Sequence, residues 1–412
     1  MRFDIHYGAG FLPLEISERT SLDVIQPVTI NSTSDIERKF LSAIENPQGC
    51  DSLTRIISTI NSVAIVVNGD SDFDLTTILL GELLDSLQSS ISSLREITVI
   101  YPSNPNYSEL ADTSTTYQLI HHDANSNEGL DFVGETPTYC TPVYVNCSFL
   151  NSDITIGIGT IRSNIFVGAT GGRMSVIPHC AGLKSITRNN KLQATHPIGP
   201  FVTDSAASTD LVEASQLAGL DFIINAIPDW KDNIHEIVAG NPYSSWNHGV
   251  SVVKDLTESF YKHKADIAIV SAGGAAYDST LFDAIDALHA GREATEHGGV
   301  IVLVAECEDG AGPDGFMRGV SECNSDKEVS LLAETNYENG MEKSRFFWEI
   351  LKSRKVIICS RLRQSLVTER FHCSAVKDIQ EGYELARSFI VSRPRVAIIP
   401  HGLRTLPIMK NG

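Results

Sequence analysis

Short runs of apolar residues recur along the chain, and segments with a helical apolar period lie between them. Eight runs predict strands, at residues 63–67, 97–101, 153–158, 222–227, 266–270, 300–304, 356–360 and 396–400. The clearest helical segments cover residues 76–90, 208–220, 278–291 and 378–390. Strands that alternate with helices are typical of βαβ units. We therefore predict an α/β fold with mostly parallel sheets.

The chain has 412 residues, 42% of them hydrophobic, which is enough for two domains with separate cores. Two strand–helix series flank residues 249–266, so we place the boundary there. The prediction is a first domain over residues 1–257 and a second over residues 258–395. The final strand, within residues 396–412, is compatible with either half and could return to the first domain. Residues 103–118 are polar and predict a loop followed by a short helix.

Composition excludes several classes of partner. The 32 Lys and Arg against 51 Asp and Glu give a net charge of −19, which disfavours nucleic acid and anionic membranes. No run approaches the ~18 apolar residues that span a bilayer, and the N-terminus lacks the apolar core of a signal peptide. The eight cysteines form no C-x-x-C pair, so we expect reduced, mostly buried thiols. These features predict a soluble cytoplasmic protein and leave its oligomeric state open.

The stretch "GATGGRMSVIPH", residues 168–179, is the most suggestive motif. Gly171 and Gly172 can adopt positive φ, so that backbone N–H groups converge on an anion. Arg173 could add a bidentate phosphate contact and Ser175 a hydroxyl. The alternative is an ordinary turn with a surface arginine, because short glycine motifs often arise without a ligand.

Acidic residues follow the first predicted strand in "GDSDFD". Asp70, Asp72 and Asp74 would lie at its carboxyl end, where ligands bind in open α/β sheets. Helix capping is the alternative, since Asp is a preferred N-cap and acids stabilise a first helical turn.

Two further loops repeat this pattern at strand ends. "SAGGAAYDSTLF" carries a glycine pair and Asp278, and "ECEDGAGPDGF" is rich in glycine and acid. Three such loops together favour a ligand site in a cleft between two sheets. The histidines offer no metal site, because no H-x-x-x-H pair would place two imidazoles on one helix face.

Seven segments, in order, resemble one known family. They are "YGAGFLPLEI", "VVNGDSDFDLTTILLGELL", "FVGATGGRMSVIPHCAGLKSI", "DFIINAIPD", "ADIAIVSAGGAAYDSTLFDAI", "GGVIVLVAECEDGAGPDGF" and "RVAIIPHGL". The chain is similar to the lactate racemase family of nickel-pincer-nucleotide 2-hydroxyacid racemases and epimerases. The resemblance implies two Rossmann-like α/β domains with the active site in the cleft between them. It also implies a nickel-carrying nucleotide joined to a loop lysine, one nickel-ligating histidine and two proton-exchanging histidines.

The chain departs from this family at the residues that carry the chemistry. Met174 stands where the family has its cofactor lysine. Asn164 and Asn190 stand where it has a proton-exchanging and the nickel-ligating histidine, and Ser103 lies at about the place of the other. Phe73 replaces the substrate-binding arginine. The retained positions are Asp70, Gly168, Gly171, Gly172, Arg173, Ser175, Pro178 and Asp278.

From these losses we expect no nickel-pincer cofactor and no metal in this protein. General acid–base catalysis accelerates a reaction by about 10²–10⁴-fold, and the cofactor itself supplies the hydride chemistry. Asparagine is a poor nickel ligand beside imidazole.

Two functions stay open. One is a different isomerase-type reaction on a nucleotide or small hydroxyacid-like ligand. Asp70, Asn164, Arg173 and Asn190 could hydrogen-bond such a ligand. The other is a non-catalytic homologue that binds a ligand or serves as a partner subunit. A dinucleotide-binding oxidoreductase is disfavoured, because no G-x-G-x-x-G follows the first strand.

Overall fold

A computed structural model describes residues 1–18, 20–30, 35–68, 73–90, 95–102, 117–126, 128–196 and 198–410. The chain forms two units, one of Thr29–Asp255 and one that joins Met1–Val28 to Leu256–Gly412. Each unit contains a six-stranded sheet. All eight predicted strands are present, and the predicted α/β fold with mostly parallel sheets is confirmed.

The unit Thr29–Asp255 is built on a sheet that is parallel except for one edge pair. Its strands run in the order β13 (Ile234–Gly240), β12 (Phe222–Pro228), β9 (Ile154–Thr160), β4 (Ser62–Val67), β5 (Glu96–Pro102) and β6 (Gln118–His122). Every residue of β9 is buried, as expected for a central parallel strand that helices cover on both faces. Two hairpins complete its strands, namely β7 (Leu130–Glu135) with β8 (Pro142–Asn146), and β10 (Ser163–Asn164) with β11 (Gly168–Ala169).

The helices of this unit cover the sheet with their apolar faces. They are α1 (Ile36–Glu45), α2 (Leu53–Ile57), α3 (Phe73–Ser90), α4 (Cys147–Leu150), α5 (Leu183–Thr195), α6 (Ala206–Ala218) and α7 (Pro242–Thr257). The Leu-rich face of α3 packs with the alternate residues of β4, such as Val63 and Ile65, in one buried core.

The other unit has an all-parallel sheet. Its strands run in the order β18 (Ser374–Val376), β17 (Lys355–Cys359), β16 (Thr295–Val304), β15 (Ala265–Ser271), β19 (Arg395–Ile399) and β3 (Ser21–Val24). A hairpin of β1 (Arg2–Tyr7) and β2 (Gly10–Glu15) and a parallel pair of β14 (Glu258–Tyr261) and β20 (Leu406–Met409) complete its strands. Its helices are α8 (Leu281–Ala284), α9 (Leu288–Ala294), α10 (Asp314–Ser321), α11 (Asp326–Asn336), α12 (Met341–Leu351) and α13 (Ile379–Ser388).

The first 28 residues differ from the predicted domain division. We assigned them to the first domain, but β3 pairs with β19 and the β1–β2 hairpin buries Ile5 and Leu14 in the core of the second unit. The final strand does not return to the first domain, because β19 pairs with β15. The pattern missed β3 because it has four residues and none is fully buried.

Two helical predictions meet different outcomes. The single helix predicted over 278–291 is broken into α8, a 3₁₀ turn at Ile285–Ala287 and α9. It begins at Leu281 because Thr280 accepts a hydrogen bond from the Asp283 N–H and caps it. The second prediction is a loop followed by a short helix over residues 103–118. Its residues 103–116 lie outside the described residues.

The cysteines are free thiols, as predicted, and five of the eight are buried. Within the described ranges, no helix has the length and apolar character that a bilayer crossing requires.

Candidate functional site

The glycine-rich loop lies at the carboxyl end of a central strand. The chain leaves β9 at Thr160, forms the β10–β11 hairpin and reaches Gly171 and a 3₁₀ turn at Gly172–Ser175. Ligands of open parallel sheets bind at this edge. Asn164 pairs with Gly168 across the hairpin, so the structure brings the position of a family histidine beside the loop.

The glycines of the loop adopt the predicted positive φ, at +87° for Gly171 and +51° for Gly172. A Cβ on Gly171 would lie 2.8 Å from Cγ1 of Ile161 and 2.9 Å from the carbonyl oxygen of Thr160. The Gly172 N–H donates to Oδ1 of Asn225 over 3.1 Å. The glycines therefore allow the backbone to lie against the sheet, and one of the expected anion donors already has an internal partner.

Arg173 is buried, with 3% of its surface exposed, so the surface-arginine alternative is wrong. Its Nη2 donates to the carbonyl oxygen of Val167 over 3.1 Å and to Oγ of Ser208 over 2.8 Å. Its Cζ lies 3.7 Å from the centroid of the Trp246 ring. Burial lowers the pKa of Arg173 to about 9, so the guanidinium stays charged at neutral pH. The phosphate contact stays a prediction. The two bonds use only Nη2, and the buried Nε of Arg173 has no hydrogen-bond partner among the described residues.

The cavity next to Arg173 is small. Its volume is about 90 Å³, and Trp246, Tyr243 and Asn241 contribute to its walls. Pockets that hold drug-sized or nucleotide-sized ligands have volumes of roughly 300–1,000 Å³. This cavity therefore suits water or a small anion rather than a nucleotide.

Ser175 and Met174 face different surroundings. Ser175 is fully buried and its hydroxyl donates to Oδ1 of Asn68 over 3.1 Å. A Cβ on Gly157 would lie 2.1 Å from that hydroxyl, so the serine packs directly on β9. Met174 is half-buried between two buried neighbours, and its N–H donates to the carbonyl oxygen of Gly171 over 3.2 Å.

The asparagines that replace family histidines make local bonds. Oδ1 of Asn164 accepts from the N–H groups of Phe166 and Val167, over 2.8 and 3.0 Å, in a turn of the hairpin. Oδ1 of Asn190, on α5, accepts from Nε2 of Gln193 over 3.1 Å. Asp70 and Ser103 lie outside the described residues.

Asp278, in the other unit, is also an internal group. It is 1% exposed, and its Oδ2 accepts from the N–H of Gly8 over 2.8 Å and from the N–H of Glu306 over 3.1 Å. Its buried Oδ1 has no hydrogen-bond partner among the residues that the structure describes. Asp278 thus links the β1–β2 turn to the loop after β16, and its contact with a ligand stays a prediction.

Sequence reasoning missed a pair of histidines in this unit. The rings of His6 and His401 lie 5.2 Å apart between centroids. Burial is the main cause that lowers the pKa of His401, to about 4, so that imidazole is neutral at physiological pH. The two residues stand at opposite ends of the chain, and no local motif connects them.

The class of protein follows from these features: two α/β units, one with a positive-φ glycine loop at the end of a central strand. Family models for the N-terminal and C-terminal domains of lactate racemase match residues 7–198 and 260–406. The chain belongs to the lactate racemase family. Within the described ranges, no group of three or more His, Cys, Asp and Glu side chains is placed to hold a metal ion.

Two curated relatives are similar to this chain over almost its full length. The lactate racemase of Thermoanaerobacterium thermosaccharolyticum is 24% identical over 423 residues, with 98% of each chain covered. That of Lactiplantibacillus plantarum is 24% identical, with 92% of this chain and 93% of the relative covered.

Solved structures show the same fold. The apoprotein of the Thermoanaerobacterium lactate racemase superposes with a TM-score of 0.86 at 22% identity, covering 99% of this chain and 100% of that one. A Thermotoga maritima protein superposes with a TM-score of 0.62 at 13% identity, covering 91% of this chain and 98% of that one.

Proposed function

We propose that this protein is a lactate racemase-family member that works without the lysine-linked nickel-pincer nucleotide. The observation that carries the proposal is Met174, which occupies the lysine position of a loop whose glycines, Arg173 and Ser175 are retained. A thioether has no N–H with which to form the acyl linkage. The family's route to racemised 2-hydroxyacids is then closed to this chain.

The surroundings of the loop support this proposal. Oδ1 of Asn164 is taken up by two backbone N–H groups of its own turn, and Oδ1 of Asn190 accepts from a side chain one helical turn away. Carboxamides do not titrate near neutral pH and cannot act there as general acid or base. They are also weaker nickel ligands than imidazole. These side chains do not fit the group that the family places here.

The retained residues have a structural explanation. Arg173, Ser175 and Gly172 each bond to an internal partner, and Asp278 does so in the other unit. Loss of the Arg173, Ser175 or Asp278 side chain would leave buried polar groups without partners, at a cost of about 1–3 kcal/mol each. A chain that has lost the family chemistry but needs the fold would keep these groups.

We propose that the unit Thr29–Asp255 binds a small polar acid at Arg173, for a different isomerase-type reaction. The cavity of about 90 Å³ that Arg173 lines favours such a ligand over a nucleotide, and it lies at the amino end of β12, beside Leu220 and Asn241. The alternative is a non-catalytic homologue that binds a ligand or serves as a partner subunit. It is favoured by the internal bonds of Gly172, Arg173 and Ser175, which leave few loop donors for a substrate.

A two-part experiment separates these functions. The protein is produced beside the cofactor-synthesising enzymes, with the Thermoanaerobacterium lactate racemase as positive control. Chiral analysis after incubation with single enantiomers of several 2-hydroxyacids reports isomerisation. Thermal shift with the same acids and with nucleotides reports binding. Stereochemical change without nickel supports an isomerase, binding without turnover supports the non-catalytic homologue, and nickel-dependent racemisation overturns the proposal.

A further inference from the structure

An arginine-lined pocket lies in the unit Met1–Val28 with Leu256–Gly412, and no residue of the glycine loop lines it. The loops that follow the neighbouring parallel strands β16 and β17 line it, and its volume is about 690 Å³. It lies beyond the carboxyl ends of these strands, the edge at which ligands of open α/β sheets bind, and its volume falls within the roughly 300–1,000 Å³ of small-molecule sites. We call it the arginine pocket and define it by Arg361, Arg363, Arg370, Glu308, Glu369 and Leu362.

Arg361 is held in place by two carboxylates. Its Nη1 lies 3.2 Å from Oε1 of Glu306 and 3.2 Å from Oε1 of Glu308, and its N–H donates to the carbonyl oxygen of Glu306. These contacts fix the loop after β17 against the loop after β16. They also offset the charge of Arg361, so this arginine shapes the wall rather than supplying a binding charge.

Arg363 and Arg370 supply the binding charge. Both side chains are exposed at the pocket, and neither has a hydrogen bond or ion pair with any residue that the structure describes. Two cationic groups that have no partner within the described part of the chain thus line one cavity, although the net charge of the chain is −19. Guanidinium groups bind carboxylate and phosphate in a bidentate manner, which makes an anionic group their natural partner.

The rest of the wall determines what else the ligand carries. Glu308 and Glu369 offer carboxylate oxygens that accept hydrogen bonds, and Leu362 is a buried apolar side chain. Gly310 borders the pocket at φ +99°, and a Cβ there would meet no atom within 4 Å. Acceptors beside arginines favour a ligand with hydroxyl groups next to its anionic group.

Covalent chemistry is disfavoured at this pocket. Cys307 lies in its wall but is 2% exposed, and burial raises the pKa of its thiol far above the usual range. The thiolate is the reactive form of cysteine, so this residue is not a nucleophile at neutral pH. The pocket is suited to reversible binding.

We propose that the arginine pocket binds a small hydroxylated anion, with its carboxylate or phosphate on Arg363 and Arg370. The hydroxyl groups of the ligand donate to Glu308 and Glu369. This inference does not depend on the proposed function, since it involves no residue of the glycine loop.

Calorimetric titration of the full-length protein with three matched three-carbon probes tests this inference. The probes are glycerate, glycerol 3-phosphate and neutral glycerol. At least one anion should bind and glycerol should not, and the tighter anion shows whether a carboxylate or a phosphate is preferred. The double variant Arg363→Gln/Arg370→Gln should weaken binding at least tenfold. Arg393→Gln removes an exposed arginine outside the pocket and should leave binding unchanged.

Thermal unfolding without ligand shows that the variants fold, which exposed Arg→Gln changes should allow. The proposal is overturned if neither anion binds at millimolar concentration, or if the double variant binds as tightly as the native protein. It is also overturned if glycerol binds as well as the anions. None of these results bears on nickel or on Met174, so the two proposals fail separately.

Discussion

The guanidinium of Arg173 stacks on the indole of Trp246, with Cζ 3.7 Å from the ring centroid. Trp246 lies on α7 and its Nε1 donates to the carbonyl oxygen of Thr170 over 2.9 Å. The pair therefore anchors the glycine loop to a helix of the same unit. A retained arginine that resembles a phosphate ligand in the sequence thus has a packing role in the structure.

Arg173→Met should destabilise the protein by about 2–4 kcal/mol, because Val167 and Ser208 lose a charged partner and the indole loses its cation. Urea unfolding measures the change. Arg38→Met, at a highly exposed arginine, is the control and should change stability by less than about 0.5 kcal/mol. A double-mutant cycle with Trp246→Leu should show coupling, and strictly additive effects would contradict the stacking account.

Gly171→Ala should cost more than Gly219→Ala. Both glycines have positive φ, +87° and +76°, but their ψ angles differ. Gly219 has ψ 43° and lies in the left-handed helical region, which alanine enters at a cost of about 1 kcal/mol, whereas Gly171 has ψ −178° and lies in a region that is essentially reserved for glycine. Only at Gly171 does the new Cβ also meet Ile161 and Thr160, whereas at Gly219 it meets nothing within 4 Å. Chemical denaturation of the two variants measures the combined cost of the glycine-only backbone and of the Cβ contact at Gly171. Equal losses of stability would show that the loop does not lie against the sheet as described.

His289 should make stability depend on pH. Burial is the main cause that lowers its pKa from 6.5 to about 4. Above pH 6.5 the imidazole of His289 is neutral in both the folded and the unfolded state, so its protonation does not reduce the stability. Between pH 6.5 and 4 only the unfolded state gains the proton. The free energy of unfolding therefore falls as the pH is lowered, and at pH 4 it is smaller by about 3 kcal/mol.

Unfolding of His289→Gln from pH 7.5 to 4 tests this dependence, and the variant should lose stability less steeply than the native protein. Ala290→Gly, at the next buried position of α9, lowers stability without removing a titrating group. It should keep the native slope. A slope for His289→Gln equal to the native one would contradict the assignment.

Asp278→Ala should release two backbone N–H groups, those of Gly8 and Glu306. Hydrogen exchange at both amides should accelerate at least tenfold, because each loses a charged acceptor worth about 1.5–3 kcal/mol. Ser279→Ala, next along the chain, removes an exposed hydroxyl whose bond to Asp283 is long at 3.4 Å, and should leave both amides protected. Unchanged exchange in Asp278→Ala would contradict these two bonds and would leave the native carboxylate available for a ligand.

Most of the fold could be predicted from periodicity, because buried parallel strands read as apolar runs. The all-buried β9 and its neighbours coincide with predicted strands within one or two residues at most ends. The first 28 residues could not be assigned in this way. β3 is short, half-exposed and paired with β19, a partner far along the chain that no local pattern reveals.

The backbone conformation of the glycine loop could be predicted from the sequence, but the contacts of its side chains could not. Positive φ at Gly171 and Gly172 follows from residue type and is confirmed. The burial of Arg173 could not be read from the loop, because it depends on Trp246 and Ser208, which lie on other helices. The arginine pocket could not be predicted for the same reason, because its residues come from two loops about 50 positions apart.

We propose that this family member carries no nickel-pincer nucleotide. Intact-protein mass and nickel content, measured after production beside the cofactor-synthesising enzymes, test this proposal. The Thermoanaerobacterium lactate racemase, made in the same cells, should show a mass adduct and bound nickel. This protein should show the unmodified mass of its 412 residues and no stoichiometric nickel. A cofactor-sized adduct or one nickel per chain would contradict the claim.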